Sequence, residues 1–79
     1  MIDIYTLENG TTYIVKKMFT DFRGNEFLPG EMLTYIERNF APYHGGHTII
    51  FKERNIYLQE DANQNIIDNF ADYLSQSEV

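Results

Sequence analysis

Apolar and polar residues alternate in three short stretches of this chain. In Thr11-Thr12-Tyr13-Ile14-Val15-Lys16, Tyr13 and Val15 would share one face, with Ile14 and Lys16 on the other. Alternation with β-branched and aromatic residues predicts a strand, and the Asn9-Gly10 pair just before it predicts a turn. Thr48 to Phe51 repeats the pattern, with Ile49 and Phe51 on one face and Ile50 on the other. Ile56 and Leu58 then alternate with Tyr57 and Gln59. The polar Lys52–Asn55 stretch between these two runs turns the chain and predicts a hairpin.

Two other regions carry a different rhythm. Ile66, Ile67, Phe70, Tyr73 and Leu74 fall at i, i+1, i+4, i+7 and i+8. That spacing places all five on one helical stripe and predicts a helix over 62–75. Asp61 is the expected N-cap, with Gln64 three residues on as in a capping box. So short a helix is marginal alone in water, so its stripe must pack on a sheet. Residues 31–43 support two readings. Leu33, Ile36 and Phe40 sit at helical spacing, whereas Leu33 and Tyr35 oppose Met32, Thr34 and Ile36 at strand spacing. Gly30 before them and the β-formers Thr34, Tyr35 and Ile36 within favour the strand.

Between the first strand and this region lie Asp21, Gly24, Asn25, Pro29 and Gly30, interleaved with Phe19, Phe22, Phe27 and Leu28. The expected element is a long irregular loop anchored by aromatics. The order is then strand, long loop, three strands, helix, in a single domain over 1–79, with strands and loop over about 12–59. The fold class is α+β, mainly β. Short antiparallel strands with one long early loop tend to curl, so the expected architecture is a small SH3-like, partly open antiparallel barrel with one C-terminal helix across one end.

Charge narrows the partners. The net charge is −6, and all six basic residues lie in residues 1–54. Residues 55–79 hold Glu60, Asp61, Asp68, Asp72 and Glu78 and no base. Such a segment repels phosphate backbones and anionic lipids. Lys16, Lys17, Arg23, Lys52 and Arg54 are scattered among acids and make no basic face. The expectation is no nucleic acid and no membrane partner. No run approaches the roughly 18 apolar residues of a spanning helix. The chain has no cysteine, which removes disulfides, thiolate zinc sites and thiol nucleophiles and suits a cytoplasmic protein.

The chemistry-bearing stretch is Pro42-Tyr43-His44-Gly45-Gly46-His47, which holds both histidines. Zinc takes three or four ligands. His44 and His47 supply two, and a third would have to come from a distance, from Glu31 or Glu53. The glycine pair reads more simply as a turn into the following strand. The serines, Ser75 and Ser77, lie at or beyond the predicted helix end, away from any nucleophile turn. Asp21, Glu26 and Glu31 share the long loop, where a turn carboxylate accepting backbone N–H groups is the simplest purpose for Asp21. Gly24, Gly30, Gly45 and Gly46 fit no phosphate loop. These residues point to no enzyme, no cofactor and no bound metal. Six Phe and six Tyr make up 15% of the chain, more than so small a core hides completely. Tyrosine tolerates a surface and is enriched in interaction hot spots. Tyr43, beside the glycine turn, and Tyr57, opposite the inward Ile56 and Leu58, are the expected binding residues, with His44 and His47 next to them. The expected function is a non-enzymatic protein- or peptide-binding module. A His-based metal-binding or regulatory domain is the alternative.

Five pieces in order also resemble a known family. They are Phe19-Thr20-Asp21-Phe22-Arg23-Gly24, Gly30-Glu31-Met32-Leu33-Thr34-Tyr35, Phe40-Ala41-Pro42-Tyr43-His44-Gly45-Gly46, Ile56-Tyr57-Leu58-Gln59, and the segment from Asn63 to Tyr73. Together they are similar to a family of short bacterial domains of unknown function. Its pattern is F-x-D-x-x-G, then G-E, then F-x-P-Y-x-x-G, then a leucine-glutamine strand and a helix. Members commonly carry a tryptophan near Leu33 and acids near His44 and Gly45, which this chain lacks. The resemblance implies a β-rich small domain with no assigned activity, in which the histidines are not family chemistry.

Overall fold

In the computed structural model, residues 2–42 and 45–77 are described. Among these residues seven strands and two short helices follow one another: β1 (Thr12–Val15), β2 (Phe19–Thr20), β3 (Glu26–Phe27), β4 (Met32–Ala41), β5 (Gly46–Phe51), β6 (Asn55–Gln59), α1 (Gln64–Asp68), α2 (Phe70–Tyr73) and β7 (Leu74–Gln76). Five of the strands form one antiparallel sheet in the order β6-β5-β4-β1-β7, and β2 pairs with β3 in a small separate hairpin. The class is α+β, mainly β. The sheet is open: β6 and β7 are its edges and do not pair with each other.

The alternating stretches form the strands expected of them. Tyr13, Val15, Ile49, Phe51, Ile56 and Leu58 are buried in one core, while Ile14, Ile50, Tyr57 and Gln59 are half-exposed on the other face. Residues 32–41 are a strand, because this segment must pair with two neighbours. Met32 to Thr34 bond to β1, and the remainder from Tyr35 bonds to β5. A β-bulge between Tyr35 and Glu37 separates these two parts. The bulge inserts one residue and so exchanges the faces beyond it. Leu33 and Tyr35 face the core before it. After it Arg38 and Phe40 stand opposite the inward residues Ile49 and His47.

The long loop is more regular than its composition suggests. Phe19 and Phe27 are opposite each other in the β2–β3 hairpin, their rings stacked 4.8 Å apart, and Tyr73 meets Phe19 edge-on at 5.4 Å. Those two phenylalanines anchor the loop, whereas Phe22 and Leu28 are exposed.

The C-terminus departs furthest from expectation. The single helix over 62–75 is instead two short helices and a strand. Asn69 breaks it: its side-chain Nδ2 donates to the Asn65 carbonyl at 2.8 Å and to Asn65 Oδ1 at 3.1 Å. Side-chain bonds of this kind compete with the helix ladder. Leu74 then turns extended, and Leu74 to Gln76 pair with β1. The free edge of β1 offers hydrogen bonds that one more helical turn would not fill. The apolar stripe still works, since Ile66, Phe70, Tyr73 and Leu74 are buried and Ile67 packs against the core. Asp61 is not the cap. Asn63 occupies that position without a side-chain cap bond, and its Oδ1 accepts from the Gln59 N–H at 2.9 Å instead.

Candidate functional site

Of the four expected binding residues, Tyr43 and His44 lie outside the described residues. His47 and Tyr57 are on adjacent strands, and both line one pocket of about 180 Å³. They contribute differently. Tyr57 lies on the outer face of the sheet. His47 belongs to the core face and is 2% exposed.

The glycine pair does not act wholly as a turn. Gly45 takes a left-handed φ of +58°, which a turn residue without Cβ adopts at little cost, but Gly46 and His47 already belong to β5. Strand register therefore sends the His47 ring inward among Tyr5, at 5.9 Å, and Phe40, at 4.8 Å. Arg38 Nη1 donates to His47 Nδ1 at 3.1 Å. A guanidinium only donates, so Nδ1 is the acceptor and the ring proton sits on Nε2. Nε2 is buried and has no hydrogen-bond partner, and Glu60 Oε1 stands 3.9 Å away. Burial and then the Arg38 charge hold this imidazole below its ordinary value, while Glu60 pulls it upward. With a guanidinium on one nitrogen, the ring is poorly placed to share a metal ion.

The pocket is built around the long loop. Asp21, 4% exposed, is its fixing point. Oδ1 accepts from the backbone N–H of Arg23 at 3.0 Å and of Asn25 at 2.8 Å, which closes the turn. Oδ2 accepts from Asn25 Nδ2 at 3.2 Å and from the Tyr57 N–H at 3.1 Å. The Phe22 N–H donates back to the Tyr57 carbonyl at 2.7 Å. The loop thus occupies both free backbone groups of Tyr57 on edge strand β6 and protects that edge from pairing elsewhere. It also lays the Arg23 guanidinium on the Tyr57 ring, 3.9 Å from its centre.

Opposite this stack are Ala41, Gly46, Thr48 and Gln59. Gly46 leaves the space open, since a Cβ there would lie 3.9 Å from Gln59 Nε2 and 4.0 Å from Ala41 Cβ. His47 and Leu58 complete the lining, and half-exposed Phe22 stands at the rim. Among the described residues no acidic one lines the pocket. Sequence reasoning identified Tyr57 but not Arg23, which appears in the chain as one loop cation among several.

The remaining expected chemistry disperses. Glu31 accepts from Arg54 Nη1 at 3.2 Å and from the Leu28 N–H at 2.7 Å, and Glu26 is exposed, so the loop carboxylates converge on no common point. Glu53 accepts from the Thr34 N–H at 2.7 Å and from its hydroxyl at 3.0 Å. The Thr34 N–H bond is the main reason its carboxyl titrates below the ordinary value. Asp3, Asp68 and Asp72 edge a second concavity of about 330 Å³ beside α1 and α2. Among the described residues no three carboxylate or histidine side chains group closely enough to hold a metal ion. No helix among them is long and apolar enough to cross a membrane.

These features define a small α+β domain with an open five-stranded antiparallel sheet and an outward-facing pocket beside its long loop. No family model matches the chain, and no curated protein does. Among solved structures it is similar to an integron cassette protein from the mobile metagenome of Vibrio cholerae. The TM-score is 0.86 at 23% identity, over 98% of this chain and 92% of that one. At that identity the likeness establishes the fold.

Proposed function

We propose that this chain is a non-enzymatic binding module whose pocket takes one residue of a protein or peptide partner. The observation that carries this reading is the pocket itself, where Arg23 is stacked on Tyr57 beside exposed Phe22. Pockets for cofactors and drug-sized ligands run to about 300–1,000 Å³. At about 180 Å³ this one suits a single amino-acid side chain better than a nucleotide or a cofactor. Its walls combine a ring, a guanidinium and neutral polar groups, the mixture found at interaction hot spots.

The strand order supports the SH3-like, partly open barrel as the architecture: β1 lies between β4 and the last strand, and the long loop after β1 leans on edge strand β6. SH3-like barrels bind peptides in aromatic grooves beside their long loop, an analogy from fold alone. The bacterial short-domain resemblance and a cytoplasmic setting belong to the same reading, and the cysteine-free composition suits a reducing compartment.

Gly46→Val tests it. Gly46 has no left-handed φ and nothing closer than 3.9 Å to a new Cβ, and valine is a strand former, so the variant should fold normally. Its side chain fills the pocket. Peptides selected on the full chain from a random display library should lose binding to Gly46→Val and to Tyr57→Ala by about tenfold or more. Selected peptides that bind both variants as tightly as the parent would sink the reading.

A further inference from the structure

The three arginines each lie over an aromatic ring, yet their N–H groups are used very differently. Arg54, over Phe27 at 4.0 Å, donates to Glu31 and to the Glu26 carbonyl. Arg38, over Tyr5 at 4.6 Å, donates to His47. Arg23 is stacked nearest, at 3.9 Å from the Tyr57 ring centre, and its guanidinium has no acceptor among the described residues. This happens in a chain with twice as many acidic as basic residues.

We propose that Arg23 is an anion receptor, and that the residue entering the pocket presents a single carboxylate to it. The inference rests on the pocket being a peptide site and names what that site selects. Stacking fixes the plane of the guanidinium and leaves its edge of paired N–H donors free, the geometry that a carboxylate meets with two parallel bonds. The platform is itself fixed, because the Tyr57 backbone is bonded on both sides to Asp21 and Phe22. A donor held in place before binding loses little freedom on binding. The Gln59 carboxamide and the Thr48 hydroxyl stand on the same wall with no hydrogen-bond partner among the described residues, and they add neutral donors. Among the described residues no carboxylate lines the pocket to compete.

The surrounding charge limits the ligand further. A net charge of −6 repels a run of acids. The pocket therefore suits one carboxylate flanked by apolar atoms, which would pack on Phe22 and the Tyr57 ring. An acidic side chain or a peptide C-terminus could carry it.

Two arrays of short random peptides separate these sources, one amide-capped and one ending in a free carboxylate. Both are screened against the full chain and its Gly46→Val, Arg23→Gln and Arg23→Lys variants. Pocket ligands are those that Gly46→Val loses. They should be enriched roughly threefold in Asp or Glu in the capped array, or in free C-termini across the two arrays. The first result assigns a side-chain carboxylate and the second a terminal one. Arg23→Gln should weaken these ligands about tenfold, and Arg23→Lys less, since a lysine keeps the charge but not the fork. Pocket ligands without either enrichment, or unaffected by Arg23→Gln, overturn the anion receptor and leave the peptide pocket standing. An absence of any ligand lost by Gly46→Val overturns the peptide pocket, and the receptor with it.

Discussion

Asp21, 4% exposed, accepts four hydrogen bonds, while His47, 2% exposed, leaves Nε2 without one. They are the two buried polar side chains among the described residues: His47 lines the pocket, and Asp21 fixes the loop that flanks it to Tyr57. The Asp21 carboxylate is surrounded by donors from its own turn and from strand β6, so burial costs it little. The His47 ring was turned inward by strand register, and only one of its nitrogens found a partner. An unpaired buried polar atom costs about 1–3 kcal/mol. The loop that flanks the pocket is therefore firmly latched, and the pocket lining carries a titratable weak point.

Breaking the latch should have the largest effect. Asp21→Ala orphans the Tyr57 N–H and the turn donors together. It should cost about 3 kcal/mol in urea unfolding and expose the amides of residues 21–25 to hydrogen exchange. Asp21→Asn keeps one acceptor oxygen and should cost about half as much.

On the other side, Gly45→Ala should cost about 1.5 kcal/mol, a fall in Tm of roughly 8 °C. Its φ of +58° disfavours a side chain, and the new Cβ would lie 3.1 Å from Glu60 Oε1. The effect would come through the turn next to the weak point, and an unchanged Tm would remove Gly45 from that account.

His47 itself sharpens the contrast through pH. Its folded value lies below the ordinary 6.5 of the unfolded chain. As pH falls below about 6.5 the unfolded chain takes up the proton first, so stability drops across that window. His47→Phe should remove this slope and stay within about 1 kcal/mol of the parent at pH 7.5, because it also removes the unpaired nitrogen. A slope that persists in His47→Phe would assign it to another group.

Glu53 gives the smallest effect and a separate window. Its carboxyl is held below 4.5, so its contribution is present above that pH and is lost as pH falls below it. Glu53→Gln should flatten only that lower segment of the stability curve.

How much of this was readable in the sequence depends on the range of the interaction. Tyr13/Val15, Ile49/Phe51 and Ile56/Leu58 show their buried face by alternation alone, because pleat and pattern share a period of two. The stripe from Ile66 to Leu74 correctly identified residues that pack inward. It could not show that Asn69 ends the helix or that β1 needs a partner for its free edge, since pairing between residues so far apart leaves no local mark. The bulge after Tyr35 is equally silent, and it decides that Arg38 and Phe40 join His47. In the candidate site, Tyr57 was visible as a tyrosine opposite two inward residues, and Asp21 as a turn carboxylate. Arg23 was not, because its importance comes from a loop folding across the chain onto Tyr57.

The central claim is that ligand enters between the latched loop and the outer face of β5 and β6. Amide shift mapping of the full chain with a peptide taken from the carboxylate-enriched array tests it most directly. The account predicts that the largest shifts fall at Phe22, Arg23, Thr48, Tyr57 and Gln59, and that Gly46→Val abolishes them. Shifts centred on Tyr5 and Phe40 at the His47 end, with the Tyr57 region unmoved, would contradict it.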